Sequence, residues 1–241
     1  MIISHKHKLV ILLPWKSASQ TLCVRLKHIN ETPYPQLHYF NSYLRRVVHQ
    51  HITLSDFLML PEAAMGYKIA VFIRNPYDRV YSGFQQIIRD FINQPKMHFT
   101  QPWIHELINQ QLADNFLEVC TSEYNVNLWF LRLPVYKIFE IGRDSSLYLH
   151  PNYYWTHKLG KQSVDFVGRV ENFEEDFKIL CEKYGFEPSS NESVNQSTEF
   201  NNKQNEFGYR YIKYLDPKVI LRINEIFKAD FDYFSYKVIQ L

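Results

Sequence analysis

Residues 9–22 read LVILLPWKSASQTL, and this stretch decides the fold because it joins an apolar strand to a helix. The run Lys8–Leu13 is continuously apolar after its lysine, which is typical of a strand buried on both faces of a parallel sheet. Pro14 closes the run, and a helix is predicted to begin at Ser19. The apolar face of this helix consists of Leu22, Leu26 and Ile29.

The loop between the two elements has the layout of a phosphate-binding loop without a glycine. It consists of Lys16, Ser17, Ala18, Ser19, Gln20 and Thr21. Backbone N–H groups and the dipole at a helix N-terminus favour a phosphate, small side chains let it approach, and the lysine adds positive charge. A solvated turn with an ordinary capping serine fits the same residues, and this segment alone does not decide between the two. The ATPase pattern G-x-x-x-x-G-K-[ST] is absent, because the lysine precedes the small residues.

The strand-then-helix layout recurs twice along the chain. In YKIAVFIRNP the strand Lys68–Ile73 precedes a helix from about Tyr77 to Asn93. In SVDFVGRVENFEEDFKILCEKYG the strand Val164–Val170 precedes a helix that Asn172 caps, with Glu175 completing a capping box. Strands that alternate with helices predict a single α/β domain with a mostly parallel central sheet flanked by helices.

The rest of the chain carries weaker signals. They are a mainly helical stretch at 94–132, a possible strand at 135–141, a polar surface loop at 186–206 and a last helix that opens at Pro217, with Ile220, Ile223 and Phe227 on one face. In open α/β sheets, ligands bind at the carboxyl ends of the strands. The two most informative strands deliver Lys16 and Arg74 to that edge.

The composition excludes several functional classes of protein. With 46% hydrophobic residues among 241, the chain can bury one sizeable core. Its 27 Lys and Arg against 25 Asp and Glu leave a net charge of +2, too balanced for a nucleic-acid binder. Three widely spaced cysteines, Cys23, Cys120 and Cys181, favour reduced thiols over a disulfide framework or a zinc site. The longest apolar run near the N-terminus is too short for a membrane span or a signal peptide, so we predict a cytoplasmic location.

A second anion site is predicted in FIRNPYDRVYSGF, residues 72–84. Arg74 stands at the strand exit, and Ser82 follows eight positions later within the next helix. Either residue alone is ordinary for its place. Together they are more specific, because the helix can return Ser82 to the crevice of Arg74, where both would suit a phosphate.

These segments resemble the sulfotransferases that use PAPS (3′-phosphoadenosine-5′-phosphosulfate). LPWKSASQTL is similar to their 5′-phosphosulfate loop, and FIRNPYDRVYSGF to their 3′-phosphate motif. DFVGRVENFEEDF (165–177) and DFDYFSYKV (230–238) resemble blocks of the branch that sulfates carbohydrates, with bacterial and Golgi-type members. The resemblance implies one sulfotransferase catalytic domain over residues 1–241, with a P-loop-like three-layer fold.

The resemblance also implies roles for the residues. Lys16 would stabilise charge on the leaving group, and Ser17, Ala18, Ser19, Gln20 and Thr21 would hold the 5′-phosphosulfate. Arg74 and Ser82 would bind the 3′-phosphate, and no metal is expected. Three residues depart from the family pattern: Trp15 precedes the lysine, Ala18 replaces a common glycine, and Gln20 replaces a usual threonine.

The acceptor hydroxyl needs a general base, and histidine is the usual choice near neutral pH. The stretch RRVVHQHITLSDF offers His49 and His51, which point to the same face if it is extended. His51, followed by Ile and Thr53, lies 23 positions before Arg74 (74 − 51), which resembles the family's His-x-Thr block. We therefore prefer His51 and keep His49 as the alternative.

The predicted acceptor is a hydroxyl of a carbohydrate. Trp103, Trp129 and Trp155 could stack on a sugar or fill a core, and Arg45, Arg46 and Lys96 could meet an acidic glycan or form a solvated face. Two other functions stay open, a nucleotide-dependent phosphotransferase and a non-catalytic protein that binds a nucleotide or glycan with the same fold. The lysine order and the Arg74/Ser82 pair oppose the first, whereas Trp15 and Gln20 favour the second.

Overall fold

The computed structural model describes residues 1–34, 39–93, 127, 130–131, 135, 150–189 and 208–241. The chain divides into two compact units: Met1–Arg74 with Asn152–Asn201, and Asn75–Pro151 with Asn202–Leu241. Whether they act as one catalytic domain, as the sequence predicts, stays a prediction.

The described elements follow in chain order. They are β1 (Ile2–Ser4), β2 (Leu9–Leu12), α1 (Ser19–Arg25), β3 (Tyr39–Asn41), β4 (Arg46–Val48), α2 (Leu54–Phe57), β5 (Lys68–Ile73), α3 (Pro76–Asn93), α4 (Tyr153–Thr156), β6 (His157–Lys158), β7 (Lys161–Gln162), β8 (Phe166–Arg169), α5 (Phe173–Tyr184), α6 (Pro217–Ile226) and α7 (Lys228–Phe234). Helices α3, α6 and α7 belong to the second unit and the other elements to the first.

The central sheet of the first unit is mixed. Within the described residues its strand order is β1-β2-β5-β8. β2 pairs with β5 and β5 with β8 in parallel, whereas β1 adds an antiparallel edge that we did not predict from the sequence. The α/β class is confirmed. The parallel pairs align the ends of β2, β5 and β8, since Leu12 faces Val71 and Ile73 faces Arg169.

One face of this sheet packs on α1 and α5. Alternate strand residues share a face, so Leu9 and Ile11 join Ala70 and Phe72 in one apolar cluster. The helices contribute Leu22, Phe177 and Leu180 to it, and Leu26 joins them directly after α1. The apolar pattern of both helices therefore holds α1, and the loop before it, against the strand ends.

An ion pair between a buried arginine and an exposed glutamate joins α1 to α5. Both terminal nitrogens of Arg25 lie 2.7 Å from the carboxylate oxygens of Glu174. The Arg25 guanidinium also lies 5.2 Å from the ring of Phe173 and 5.3 Å from that of Phe177. Since Arg25 is the last residue of α1, this clamp fixes the helix behind the polar loop.

Helix α1 is shorter than its sequence pattern predicts. The helix ends at Arg25, and a 3₁₀ turn, Lys27–Ile29, follows it. Leu26, just before this turn, and Ile29 within it are both buried. Ser189 supplies the reason, because its N–H donates to the Arg25 carbonyl at 2.9 Å and its Oγ to the Val24 carbonyl at 3.1 Å. Carbonyls that a continuing helix would use are thus bonded to a distant residue.

Three other predictions need correction or partial correction. Asn172 is the N-cap of α5, but its side chain makes no capping hydrogen bond, so the capping box was wrong. Val135, the first residue of the possible strand 135–141, is helical. The helix opened by Pro217 is confirmed, but it ends at Ile226 and α7 follows as a separate helix.

Several predictions lie outside the described residues. They concern residues 136–141, residues 190–206 of the surface loop, and most of the stretch 94–132 with Lys96, Trp103, Cys120 and Trp129. Asn127, Phe130 and Leu131 of that stretch are helical. No helix in the described part of the chain has the length and apolar character to cross a bilayer.

The second unit is organised around Tyr77 near the start of α3. Its ring lies 5.3 Å from those of both Tyr209 and Phe231. Its hydroxyl donates to Asn224 Oδ1 on α6 and accepts the N–H of Ile239 at 2.9 Å. Burial raises the pKa of Tyr77 to about 12, so its hydroxyl stays protonated as a donor.

Candidate active site

The loop after β2 has an unusual backbone. Lys16 and Ala18 have positive φ values of 62° and 61°, whereas Ser17 between them does not. Alternation of left-handed and ordinary conformations turns successive N–H groups toward one side, which forms an anion-binding concavity. Ala18 is the N-cap of α1 and no side chain caps this helix, so the alternative of a serine-capped turn does not describe it.

The side chains of the loop divide into buried and exposed ones. Ser17, Ser19 and Thr21 are buried, Lys16 and Ala18 are half-buried, and Gln20 is exposed. Within the described residues the buried Ser17 Oγ has no hydrogen-bond partner. A buried hydroxyl without a partner is costly, and it leaves the loop with an unused donor.

Trp15 lies beneath the lysine of the loop. Its side chain is buried, and Lys16 Nζ lies 5.6 Å from its ring. This separation is in the range of a cation–π interaction. The residue that departs from the family pattern therefore supports the position of the ammonium group.

Arg74 follows β5 and approaches the loop. Its Nη1 lies 3.5 Å from the Lys16 carbonyl oxygen. The Arg74 carbonyl accepts a hydrogen bond of 2.8 Å from Nδ2 of Asn152, a fully buried residue. The sequence did not indicate Asn152, because this residue lies 78 positions from Arg74 and belongs to none of the motifs. Ser82 lies half-buried on α3 in the second unit, and its pairing with Arg74 stays a prediction.

His51 is bonded to the end of β2. Its side chain is buried, and Nδ1 lies 2.6 Å from the carbonyl oxygen of Leu13, the residue before Pro14. A carbonyl only accepts, so Nδ1 carries the proton and Nε2 is the acceptor nitrogen of the neutral ring. The fold thus attaches His51 to the strand that leads into the loop.

The ring of His49 stacks on that of His51. Their centroids are 4.8 Å apart with an interplanar angle of 20°, so the two rings lie on the same side of the chain. Burial lowers the pKa of His51 well below its usual range, and the charges of His49 and Lys16 act in the same direction. His51 is therefore neutral at physiological pH, and the Leu13 carbonyl determines its tautomer.

The residues considered for binding the acceptor substrate differ in burial and in their partners. Trp155 is fully buried and belongs to the core. Arg46 lies 2.6 Å from the carboxylate of Asp56, whereas Arg45 is exposed at the hairpin loop between β3 and β4. The same hairpin exposes Phe40 and Tyr43, at 67% and 56%, which sequence reasoning did not single out.

The comparison with known families agrees with this geometry. The Sulfotransferase family matches residues 1–237, and the chain belongs to that family. The protein is therefore a transferase that acts on a hydroxyl acceptor. Searches of curated proteins and of solved structures returned no match. Among the described residues no cluster of three or more His, Cys, Asp or Glu side chains could hold a metal ion.

Proposed function

We propose that this protein transfers the sulfonyl group of PAPS to a hydroxyl of a carbohydrate, with His51 as the base. The observation that carries the proposal is the meeting of three predicted residues at one sheet edge. The Leu13 carbonyl bonds His51 after β2, and the Lys16 carbonyl, three residues further along the chain, contacts Arg74 after β5. A lysine, an arginine and a neutral histidine together suit an anionic donor and a hydroxyl acceptor.

The loop residues fit the 5′-phosphosulfate of PAPS. Ser17, Ala18, Ser19 and Gln20 would hold it through their backbone N–H groups. The first N–H groups of α1 have no partner within the helix, and the Ser17 N–H makes a 3.3 Å turn bond to the Pro14 carbonyl that an anion would replace. The buried Ser17 hydroxyl supports this assignment, since a bound anion would give that donor a partner. Thr21 would add its hydroxyl. The exposed side chain of Gln20 has no assigned role, so its departure from the usual threonine does not weaken the proposal.

Arg74 and Ser82 would hold the 3′-phosphate. An arginine suits this task because its guanidinium presents several donors to phosphate oxygens at once. The 3′-phosphate distinguishes PAPS from ATP, so this pair would set the nucleotide specificity of the protein.

The chemical step requires charge stabilisation and one proton transfer. PAPS supplies the sulfonyl group, whose sulfur forms a bond to the acceptor oxygen as its bond to the phosphate oxygen breaks. Lys16 would stabilise the charge that grows on that phosphate oxygen. Nε2 of His51 would take the proton of the acceptor hydroxyl, which its neutral state and fixed tautomer permit.

The hairpin of β3 and β4 supports a carbohydrate acceptor. It leads directly into His49 and His51, and its exposed Phe40 and Tyr43 are the type of ring on which sugars stack. Asn41 Oδ1 accepts the N–H groups of Tyr43 and Leu44, both at 3.0 Å, which braces the loop. The exposed Arg45 would meet an acidic substituent. The P-loop-like three-layer fold and the cytoplasmic location stay predictions.

Thermal unfolding with two nucleotides and without ligand, followed by a transfer assay, tests the proposal. Adenosine 3′,5′-bisphosphate, the product of PAPS, should raise the melting temperature, and ATP should do so less at equal concentration. Labelled PAPS should then transfer sulfate to a member of a panel of glycans. Stabilisation by ATP alone would favour a phosphotransferase. Tight binding of the bisphosphate without transfer to any glycan, alcohol or phenol would favour the non-catalytic binding protein.

A further inference from the structure

We propose that Asn152 is a positioning residue for Arg74 and so sets the preference of the site for a 3′-phosphorylated nucleotide. Asn152 Nδ2 donates to the Arg74 carbonyl at 2.8 Å, and the Asn152 side chain is fully buried. The inference rests on the proposed role of Arg74 in binding the 3′-phosphate.

The bond matters because Arg74 is the first residue beyond the sheet. Ile73 is the last residue of β5 that pairs with β8. The carbonyl of the half-buried Arg74 therefore lies beyond that ladder, where a side chain can bond it. Asn152 supplies that side chain and fixes the backbone from which the long arginine side chain starts. The far end of that side chain lies 3.5 Å from the Lys16 carbonyl.

Asn152 is itself held by a chain of hydrogen bonds. Thr156 Oγ1 lies 3.2 Å from the Asn152 carbonyl and 3.3 Å from that of Tyr153, and His157 Nδ1 lies 2.8 Å from the same hydroxyl. The hydroxyl has one proton, which it gives to a carbonyl, so it accepts the proton of His157 Nδ1. The Tyr153 ring stacks on His157 with centroids 4.6 Å apart. The segment of residues 152–157 is thus held by its own hydrogen bonds and ring stacking, and it bonds the end of β5 through Asn152.

Two nucleotides separate positioning from general stability. Adenosine 3′,5′-bisphosphate and adenosine 5′-monophosphate differ only in the 3′-phosphate. A residue that acts through Arg74 should change the affinity for the bisphosphate and leave that for the monophosphate unchanged. A purely structural residue should change both affinities together or neither.

The experiment compares Asn152→Ala, Arg74→Ala and a control, Asn30→Ala, by calorimetric titration of both nucleotides at one ionic strength. Asn30 lies in the same unit, and its side chain also bonds main-chain groups, the N–H groups of Ile3 and Thr32. Arg74→Ala should remove the preference for the bisphosphate. Asn152→Ala should lower the ratio of the two affinities about tenfold, whereas Asn30→Ala should lower the melting temperature and leave the ratio unchanged.

If Asn152→Ala does not fold, Asn152→Leu carries the test, because its branched side chain fills the buried site without a donor or a charge. An unchanged affinity ratio in a folded Asn152 variant, with the ratio lost in Arg74→Ala, overturns this inference and leaves the proposed function standing. A wild-type protein without preference for the bisphosphate overturns both.

Discussion

Two strand-to-helix connections of this chain look alike in sequence and differ in how they use their polar groups. The first connects β2 to α1, and the second connects β5 to α3. The first has left-handed Lys16 and Ala18, no capping side chain, and the buried Ser17 hydroxyl without a partner in the described residues.

The second connection satisfies its own helix start. Asn75 Oδ1 accepts the N–H of Asp78 at 2.9 Å, and Asn75 Nδ2 donates to Asp78 Oδ2 at 3.0 Å. Asp78 Oδ1 accepts the N–H groups of Arg210 and Tyr211 at 3.0 and 2.9 Å. Backbone N–H groups that a side chain of the protein already bonds are not available to a ligand. The difference agrees with the proposal that the first connection binds the ligand, whereas the second mainly stabilises the fold and would contribute Arg74 to the ligand.

The largest effect is expected at the histidine bonded to the first connection. His51→Ala should reduce turnover by about 10²–10⁴-fold, the usual contribution of a general base, and leave the affinity for the bisphosphate nearly intact. The exposed His28 is the control, and His28→Ala should be neutral. A larger loss in His49→Ala than in His51→Ala would transfer the role of base to His49.

The pH profile provides a second measurement of the same base. The pKa of His51 lies below its ordinary value of 6.5, so the neutral form persists below pH 6.5 in the folded protein. The acid limb of kcat/KM should therefore lie below pH 6.5. The unfolded chain binds the proton first as pH falls, so His51 should reduce stability below about pH 6.5. An acid limb above pH 6.5 contradicts the assignment.

Lys16→Ala should lower kcat by about 10²–10³-fold, the loss that follows removal of one charge-stabilising group. The free energy of unfolding should change little, because Lys16 is half-buried in a loop. Lys6→Ala, which removes an exposed lysine of the same unit, is the control for net charge. A Lys16 variant that keeps its kcat would break the assignment of the first connection to ligand binding.

Lys16→Ala should lower kcat and leave stability nearly unchanged, whereas Asp78→Ala should cause a large loss of stability. Its buried carboxylate accepts hydrogen bonds from Asn75, Arg210 and Tyr211. Leaving such donors without a partner should cost about 2–3 kcal/mol, measurable by urea unfolding. Asp232→Ala, which removes an exposed ion pair with Lys228 in the same unit, should cost less than about 0.5 kcal/mol. Equal losses in both variants would contradict the stabilising role of the Asp78 carboxylate.

Ser17→Ala should separate binding from stability within the first connection. The hydroxyl has no partner in the described residues, so its removal should leave the melting temperature unchanged or slightly higher. The affinity for the bisphosphate should fall about tenfold, because a hydrogen bond to a charged group is lost. Ser4→Ala, at a buried serine of β1 in the same unit, should not change this affinity. A clear loss of stability without a loss of affinity would show that the hydroxyl serves the fold.

Ala18→Gly has the smallest expected effect. A left-handed alanine is strained, and glycine relieves this strain but loosens the unfolded chain, so the net gain should be about 0.5 kcal/mol. Ser19→Gly, one position later in α1, should destabilise the protein instead. Destabilisation by Ala18→Gly would contradict the left-handed backbone of the loop.

The sequence by itself determined the local elements and the residues of the candidate site. Apolar runs and proline placed the strand Lys68–Ile73 at its observed bounds and β2 to within two residues. These signals are local, because strand burial, loop chemistry and helix periodicity depend on neighbouring residues. The same local signals predicted Lys16 and Arg74 at the strand ends, whereas the preference for His51 over His49 came from the resemblance to the family.

Only the tertiary structure decided how these residues are held. The His51–Leu13 bond spans 38 positions, the Asn152–Arg74 bond 78, and the Ser189–Arg25 bond that ends α1 spans 164. The antiparallel edge strand β1 and the tautomer of His51 likewise depend on distant partners. Such contacts form because buried polar groups must find a partner, and which partner comes within reach depends on the packed chain and not on its neighbours in sequence.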